Sequence, residues 1–486
     1  MSDPLGLFPI AIAAGHGRVD GLEAQQLVAA GLTLLQRSAP LVRALHRRRA
    51  AVLLPTSPAF VTALAASEGR GAVLINPLSA PAEIAYQITD AGVGAVFTSA
   101  ELAPRLPAFV PRVLLDDAPR FARIVSDGVS RDVDLGSHHG LTLEGDVDAP
   151  GSTDEAVLVY TSAMGGIPLG ARLAHVNLLS NARATVDAGA VTADDHALAV
   201  LPFSHLFGLV VSGGAPLLAS GRVTTMARYN PAKALDLLEN DAVTMLVGVP
   251  AIFAALTALL ERRGTGLRST SLRLCICGGA PLSKELQDRW FEQTGVELRQ
   301  GYGLTEAGPV CLFNRVNRPN RRGTMGVPFP GVRVAIRAID GSEELPDDAD
   351  GEICVAGPNV FAGYVNGDQA PRSDRDRWAA GLPRDGDWLR TGDRGVRHAD
   401  GTFSFRGVLK PMFTRNGFNI YPREIERTVM ALPGVRAVRV RAIPESMREN
   451  DIALEVEGDV SADDVKAWCD SRLAVYKRPT GITVHG

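Results

Sequence analysis

The chain has 486 residues, 46% of them hydrophobic and 21% charged, which excludes a mostly disordered protein and allows a large core with more than one domain. A balance of 50 basic against 54 acidic residues gives a net charge of −4, which argues against a nucleic-acid binder that relies on phosphate neutralisation. Because there is neither a basic signal-peptide segment nor a run of ~18 apolar residues, we expect a cytoplasmic protein outside the membrane.

The cysteines are scattered, mostly inside apolar runs, which favours buried thiols in a reducing compartment over a disulfide framework. The five are Cys275, Cys277, Cys311, Cys354 and Cys469. Cys275 and Cys277 alternate as strand neighbours, with no second pair to complete a metal site.

The first third of the chain alternates between helical and strand patterns. Residues 21–49 mix apolar and polar residues at helical spacing, and residues 50–78 then read as strand, turn, helix and strand. The pattern recurs at residues 82–99, and this βαβ rhythm predicts a parallel sheet covered by helices. Residues 126–153 look like a polar connection.

Inside that connection, the adjacent His138 and His139 are loosely similar to the paired-histidine motif of amide-forming condensation enzymes. The acidic residue, Glu144, is Glu rather than Asp and comes one position late. We therefore interpret the two histidines as ordinary loop residues.

The stretch VLVYTSAMGGIPLGA, residues 157–171, joins an apolar strand to two hydroxyls and several glycines. Glycine lets backbone amides approach a polyanion closely, so the pattern predicts a phosphate cradle. An ordinary strand-to-turn connection is the alternative.

Three further strand–turn–helix units follow at residues 197–226, 243–260 and 272–295. Ligands of open α/β sheets gather at the carboxyl ends of the strands, and His205 lies at one of these turns. The loop QGYGLTE, residues 300–306, then combines a ring for stacking, a hydroxyl for a phosphate and a carboxylate for Mg²⁺.

The end of the chain changes character. Residues 387–407 read as a hairpin that carries Asp393 between Gly and Arg. Beyond about Gly407, two apolar strands, a helix and a final short segment predict a small α+β module.

Taken together, the motifs YTS, PFSHLFG, GGAPL, GYGLTE, WLRTGD and GFNIYPREIE resemble, in order, those of the adenylate-forming superfamily of acyl-CoA synthetases, luciferases and peptide-synthetase adenylation domains. The resemblance implies an α/β fold with a large multi-sheet α/β amino-terminal domain, residues 1–407. It also implies a small mobile α+β carboxy-terminal domain, residues 408–486, which here stops before the family's Gly-Lys motif.

In such enzymes a carboxylate attacks the α-phosphate of ATP, and a CoA thiol, a carrier-protein phosphopantetheine or an amine then displaces AMP. The resemblance thus implies an acyl-CoA synthetase-like ligase of secondary metabolism that uses ATP, Mg²⁺ and a small carboxylic acid. An acyl carrier protein as partner and a homodimer are left open.

The resemblance also implies a role for individual residues. Glu306 would be the Mg²⁺ ligand and, with His205, would serve catalysis. The nucleotide would contact Thr161, Ser162, Gly165, Gly166, Gly170, Gly279, Ala280, Pro281, Tyr302, Thr305 and Asp393. The acyl pocket would be formed by His205, Phe207, Val211, Gly303 and Pro309, and the pantetheine channel by Gly417, Phe418 and Asn419.

The sequence departs from the family at two places. In the glycine loop, Ala163, Met164 and Gly165 replace a glycine and two hydroxyls, and Leu169 replaces a lysine. At the hinge, Val408 replaces an arginine, and Pro411 fixes φ beside the pivot.

These losses keep two rivals open, namely a derived homologue that transfers or condenses an acyl thioester without ATP, and a non-catalytic binder of carrier proteins. A phosphate-loop NTPase is excluded because no Gly-Lys-Ser/Thr follows the glycines. A serine hydrolase is excluded because there is no G-x-S-x-G elbow.

Overall fold

The computed structural model describes residues 7–46, 48–67, 71–117, 119–126, 128–135, 151–161, 166–268, 271–365, 382–445 and 449–486. Within these ranges, every helix is too short or too polar to cross a lipid bilayer.

The helices of the described ranges commonly begin on proline, which suits a first turn because the N–H that proline lacks would have no partner within the helix there. They are α1 Phe8–Ala11, α2 Ala24–Arg37, α3 Ala39–Leu45, α4 Pro58–Ala66, α5 Pro81–Asp90, α6 His175–Gly189, α7 Ala215–Leu218, α8 Pro231–Asn240, α9 Pro250–Arg263, α10 Lys284–Thr294, α11 Pro422–Met430 and α12 Ala462–Arg472. A π-helical segment, Phe207–Gly214, leads directly into α7.

The strands of the first domain fall into three sheets. In chain order they are β1 Arg18–Val19, β2 Leu22–Glu23, β3 Arg49–Leu53, β4 Ala72–Leu74, β5 Val93–Thr98, β6 Arg112–Leu115, β7 Phe121–Ser126, β8 Val129–Asp134, β9 Glu155–Thr161, β10 Leu169–Ala174, β11 His196–Ala199, β12 Arg222–Thr225, β13 Met245–Gly248, β14 Leu274–Cys277, β15 Leu298–Gly303, β16 Val310–Phe313, β17 Val327–Pro328, β18 Arg333–Arg337, β19 Asp350–Ala356, β20 Gly363–Tyr364, β21 Arg384–Asp385, β22 Trp388–Arg397 and β23 Phe403–Val408.

Two of these sheets have a parallel centre, as the βαβ rhythm predicts. One runs β17-β16-β15-β14-β13-β11-β12-β1-β2 and is parallel from β15 to β1. The other runs β20-β10-β9-β4-β3-β5-β6-β7-β8 and is parallel from β9 to β6. A third, antiparallel sheet runs β18-β19-β22-β21, with β23 paired to β22.

The two large sheets share one apolar core. Its strands are almost continuously buried because helices cover both faces, as in β3 and β14. Phe60 on α4 meets Phe203 edge to face with ring centroids 5.7 Å apart. All five cysteines are free and buried, which confirms the prediction of buried thiols.

The carboxy-terminal module has a core of its own. It consists of the hairpin β24 Phe413–Arg415 and β25 Phe418–Ile420, and the sheet β26 Val435–Glu445, β27 Glu449–Gly458 and β28 Gly481–His485. Helices α11 and α12 pack on this sheet around Ile425, Ile452 and Val465. The predicted α/β class, with a large multi-sheet domain and a smaller α+β one, is confirmed.

The interpretation of residues 126–153 as a polar connection is wrong at its start. There β8 pairs antiparallel with β7 at the edge of the sheet. Most of β8 is exposed and only Val133 is buried, so the strand lacks the apolar alternation that would have revealed it. His138 and His139 lie outside the described residues.

Candidate active site

The carboxyl ends of the parallel strands open onto a cavity of about 620 Å³ that the small domain covers. It brings together residues from every motif of the sequence analysis. The predicted site residues that line it are Thr161, Gly166, His205, Phe207, Gly279, Ala280, Pro281, Tyr302, Gly303, Thr305, Glu306, Pro309, Asp393, Gly417, Phe418 and Asn419.

Two predicted residues lie away from this lining. The α-carbon of Gly170, on β10, faces the side chain of Leu158, and a Cβ there would lie 3.2 Å from it. Val211 is buried inside the π-helical segment. Ser162 and Gly165 lie outside the described residues.

Glu306 lies on a short 3₁₀ turn that follows β15. The residue is only 6% exposed, and its Oε1 accepts a hydrogen bond of 2.7 Å from the Tyr364 hydroxyl. Burial and the Glu306 carboxylate raise the pKa of the Tyr364 phenol well above its usual value, so this hydroxyl remains a donor. Within the described residues, the hydrogen-bond donor to the Glu306 carboxylate is thus a neutral group.

Asp393 on β22 is buried as well, but it faces a cation. Its Oδ1 lies 3.1 Å from the Lys410 ammonium, and its Oδ2 accepts a 2.7 Å hydrogen bond from the Tyr302 hydroxyl. Burial and Asp393 raise the pKa of Tyr302 well above its usual value. The charge of Asp393 is therefore already balanced inside the protein.

His205 lines the cavity and is exposed there. Its Nδ1 accepts a hydrogen bond of 3.2 Å from the Phe207 amide. Loss of solvation lowers the pKa of the imidazole to about 4, so the ring is neutral at pH 7. A neutral ring that accepts at Nδ1 carries its proton on Nε2, which makes His205 a hydrogen-bond donor.

Helix α5 supports the far side of the glycine loop. The Tyr86 hydroxyl donates to the Pro168 carbonyl at 2.9 Å, and Tyr86 packs edge to face on Tyr160. Thr161 and Leu169 are register partners in the β9–β10 pair. These contacts fix the two described ends of the loop.

The small domain closes the cavity with the tip of the β24–β25 hairpin. Gly417 has φ +76°, and a Cβ there would lie 2.8 Å from Val249 Cγ1 on the large domain. Only glycine fits this close approach.

A buried ion pair joins the two domains beside the cavity. The Lys477 ammonium lies 2.8 Å from Glu83 Oε1 on α5 and also contacts Glu424 on α11. Burial alone would lower the pKa of Lys477, but the two carboxylates raise this pKa well above its usual value.

Sequence reasoning missed three of these polar side chains. Lys410 stood in the hinge segment and Tyr364 outside the motifs of the resemblance, and neither residue carries a sequence signal of its partner. Lys477 stood in the final short segment, whereas its partner Glu83 is 394 residues away along the chain. Only the folded structure reveals such pairs.

The donor set is compatible with a nucleotide and Mg²⁺. Within the described residues there is no cluster of three or more His, Cys, Asp or Glu side chains that could hold a metal by themselves. Mg²⁺ commonly binds one or two carboxylates and completes its coordination with phosphate oxygens and water, and Glu306 offers one such carboxylate at the cavity.

The chain is similar to known proteins along most of its length. Residues 40–365 match the family model described as AMP-binding enzyme. The chain is 32% identical over 444 residues to a feruloyl-CoA synthase from Amycolatopsis sp, covering 89% of this chain and 84% of that protein. It is 31% identical over 484 residues to 4-coumarate–CoA ligase 5 of Oryza sativa subsp. japonica, covering 95% and 84%.

A solved structure of malonyl-CoA ligase with methylmalonyl-CoA and AMP bound has the same fold. Its TM-score is 0.79 at 27% identity, and the alignment covers 99% of both chains. The fold and the cavity thus define an enzyme of the adenylate-forming superfamily.

The chain belongs to the AMP-binding enzyme family. Within it, the protein is an acyl-CoA synthetase-like ligase.

Proposed function

We propose that this protein activates an aryl or medium-sized carboxylic acid as its adenylate and transfers the acyl group to a thiol, that of CoA or of a carrier protein. The observation that carries the proposal is the shared cavity. Glycine loop, aromatic ring, buried carboxylates and small-domain hairpin all line one space of about 620 Å³.

In the first half-reaction, the carboxylate of the acid attacks the α-phosphorus of ATP, and pyrophosphate leaves. No protein nucleophile is required, so the protein contributes positioning and charge stabilisation. Tyr302 and the Gly279–Pro281 turn would hold the adenine, and Asp393 the ribose. Glu306 would hold Mg²⁺, which when bound neutralises phosphate charge.

His205 would orient the acyl group in the same step. Since its Nδ1 accepts from the Phe207 amide, its Nε2 would carry the proton and would be the ring's donor at the cavity. A donor there can bind a carboxylate oxygen before the reaction and the acyl oxygen afterwards.

In the second half-reaction, the sulfur of the acceptor attacks the acyl carbon and AMP leaves. Gly417, Phe418 and Asn419 would border the channel through which the pantetheine arm enters. The small domain, which we propose to comprise residues 408–486, carries these three residues.

The acid is proposed to be aromatic. The acyl end of the cavity is lined by apolar side chains, among them Phe207, Val310 and Met325, beside the polar His205. The names of two relatives, feruloyl-CoA synthase and 4-coumarate–CoA ligase, support an aryl acid.

The test is to measure ATP binding by calorimetry with Mg²⁺ and ferulic, 4-coumaric or benzoic acid, followed by pyrophosphate release and loss of the free CoA thiol. ATP binding with acid-dependent pyrophosphate release supports the proposal. Absence of both would overturn it.

A second candidate is an acyltransferase or condensing enzyme that takes a ready-made thioester and does not use ATP. The observations in its favour are Leu169 in place of a cation and the ion pair of Lys410 with Asp393, which occupies the proposed ribose ligand. Consumption of an aryl-CoA thioester without ATP would favour this candidate. Failure of both assays would favour a non-catalytic binder of carrier proteins.

A further inference from the structure

Two aromatic rings of the small domain stack on each other at the wall of the cavity. Phe418 on β25 and Tyr476 both line this space. Their ring centroids are 4.2 Å apart, and the ring planes differ by only 14°. Tyr476 therefore covers one face of Phe418, and Phe418 lines the cavity with the part of its ring that remains uncovered.

The backbone of Tyr476 is fastened to the hairpin that carries Phe418. Tyr476 lies in a short 3₁₀ turn, Val475–Lys477. Arg415 is the register partner of Phe418 in the β24–β25 hairpin and is buried. Its guanidinium donates to the carbonyls of Tyr476 at 3.2 Å and of Arg478 at 2.8 Å. The ring stack and these hydrogen bonds together hold the turn against the hairpin.

Both residues of the stack have a sequence neighbour that contacts the large domain. The ammonium of Lys477 lies 5.6 Å from the centroid of the Tyr476 ring and 2.8 Å from Glu83 Oε1 on α5. Gly417, which precedes Phe418, packs on Val249 Cγ1. The stack is therefore placed against the large domain in the arrangement in which the small domain covers the cavity.

A stacked ring restricts the orientation of its neighbour. A phenylalanine side chain has several staggered rotamers, and each of them presents a different surface to a ligand. A nearly parallel ring at van der Waals distance favours the rotamer that keeps the two rings in contact. Without the ring of Tyr476, Phe418 would be free to leave the orientation that it has at the cavity.

We propose that Tyr476 is a positioning residue for thiol transfer, whose ring holds Phe418 in the orientation that borders the pantetheine channel. The inference rests on the proposed function, which gives Phe418 this place in the second half-reaction. Acid activation precedes the arrival of the thiol. Loss of the Tyr476 ring should therefore weaken the use of the acceptor and leave the first half-reaction unchanged.

The experiment compares the unmodified full-length protein with Tyr476→Ala, Tyr476→Leu and Tyr476→Phe. It uses ATP, Mg²⁺ and whichever of ferulic, 4-coumaric and benzoic acid supports pyrophosphate release, with pantetheine or CoA as acceptor. We expect the KM for both acceptors to rise by about 5- to 10-fold in Tyr476→Ala and Tyr476→Leu, which lack the stacked ring. Tyr476→Phe keeps the ring and should stay within about 2-fold.

A second readout separates positioning from a general structural effect. Pyrophosphate release in a single turnover without acceptor should stay within about 2-fold of the unmodified protein in all three variants, since only acceptor use is altered. Ile482→Ala is the control for destabilisation of the small domain. Ile482 on β28 is half-buried, packs against the core of this domain and lies outside the cavity lining. Its acceptor KM should be unchanged, and thermal unfolding compares its stability with that of the Tyr476 variants.

Three results would overturn the proposal. The first is an unchanged acceptor KM in Tyr476→Ala and Tyr476→Leu. The second is a loss in Tyr476→Phe as large as in Tyr476→Ala, because the hydroxyl and not the ring would then be responsible. The third is a loss with CoA that is absent with pantetheine, because the effect would then lie at the nucleotide end of CoA and not in the channel.

The outcomes also separate this inference from the proposed function. If the unmodified protein releases no acid-dependent pyrophosphate, the proposed function fails. If it releases pyrophosphate and consumes the thiol while Tyr476→Ala behaves like Ile482→Ala, only the assignment of Tyr476 fails.

Discussion

Two buried carboxylates stand at the same cavity in opposite electrostatic settings. Glu306 receives a hydrogen bond from the neutral Tyr364, whereas Asp393 receives one from Tyr302 and also faces the Lys410 ammonium. A carboxylate such as Glu306, which has no cation beside it among the described residues, can bind a metal ion. A carboxylate such as Asp393, which already faces an ammonium group, can still accept hydrogen bonds but gains little from a second positive charge. The comparison separates the carboxylate proposed to bind Mg²⁺, Glu306, from the carboxylate proposed to bind the ribose, Asp393.

The largest effect is expected from removing the ammonium group of Lys410, which faces Asp393. Lys410→Met would leave Asp393 as a buried charge without its partner, which typically costs about 3–5 kcal/mol. Urea denaturation measures this loss, with the exposed Lys284→Met as control. The double variant with Asp393→Asn should be more stable than Lys410→Met alone, because the stranded charge is gone. A loss of unfolding free energy below about 1 kcal/mol in Lys410→Met would show that Asp393 does not depend on this cation, and the contrast with Glu306 would be wrong.

The next effect concerns Glu306. Glu306→Gln keeps an acceptor for Tyr364 and removes the charge, so we expect acid-dependent pyrophosphate release to fall by about 10²- to 10³-fold. The exposed Glu292→Gln on α10 controls for a general loss of charge. Wild-type rates in Glu306→Gln would show that Glu306 does not serve as the Mg²⁺ ligand and would favour the ATP-independent candidate.

A smaller effect is expected at the acyl end, where His205→Ala removes a neutral donor. We expect about a 10- to 100-fold loss of acid activation. His205→Gln, which keeps an N–H, should retain more activity than His205→Ala. Full activity in His205→Ala would remove this residue from the site.

The same histidine gives a pH prediction. With a folded pKa of about 4 against an ordinary 6.5, the folded protein holds fewer protons than the unfolded chain between these values. This residue therefore lowers the stability of the fold as the pH falls from 6.5 toward 4. Titration of the imidazole protons by NMR, assigned by their absence in His205→Gln, should give a midpoint near 4. A midpoint near 6.5 would contradict the lowered pKa of His205.

The smallest effect should come from Tyr364→Phe. It removes the one neutral donor described at Glu306 and loosens the orientation of the carboxylate, at a cost of about 1 kcal/mol, or about 5-fold. The readout is the Mg²⁺ concentration at half-maximal pyrophosphate release, which should rise. Tyr229→Phe, whose hydroxyl bonds to Ile252 outside the cavity lining, is the matched control.

The sequence predicted the βαβ arrangement and the small final module because buried parallel strands and helices leave strong apolar patterns, as at β3 and α4. It also predicted residues that the fold brings to one cavity, since glycine turns mark strand ends. It could not predict the pairs of Lys410 with Asp393 or of Lys477 with Glu83, because nothing local links side chains far apart in the chain. The exposed edge strand β8 was missed for lack of an apolar pattern.

Helix α5 has a mechanical consequence. Glu83 and Tyr86 are three residues apart and so share one side of the helix, where the first touches Lys477 of the small domain and the second holds the Pro168 carbonyl. The small domain and the described end of the glycine loop therefore contact the same turn of one helix.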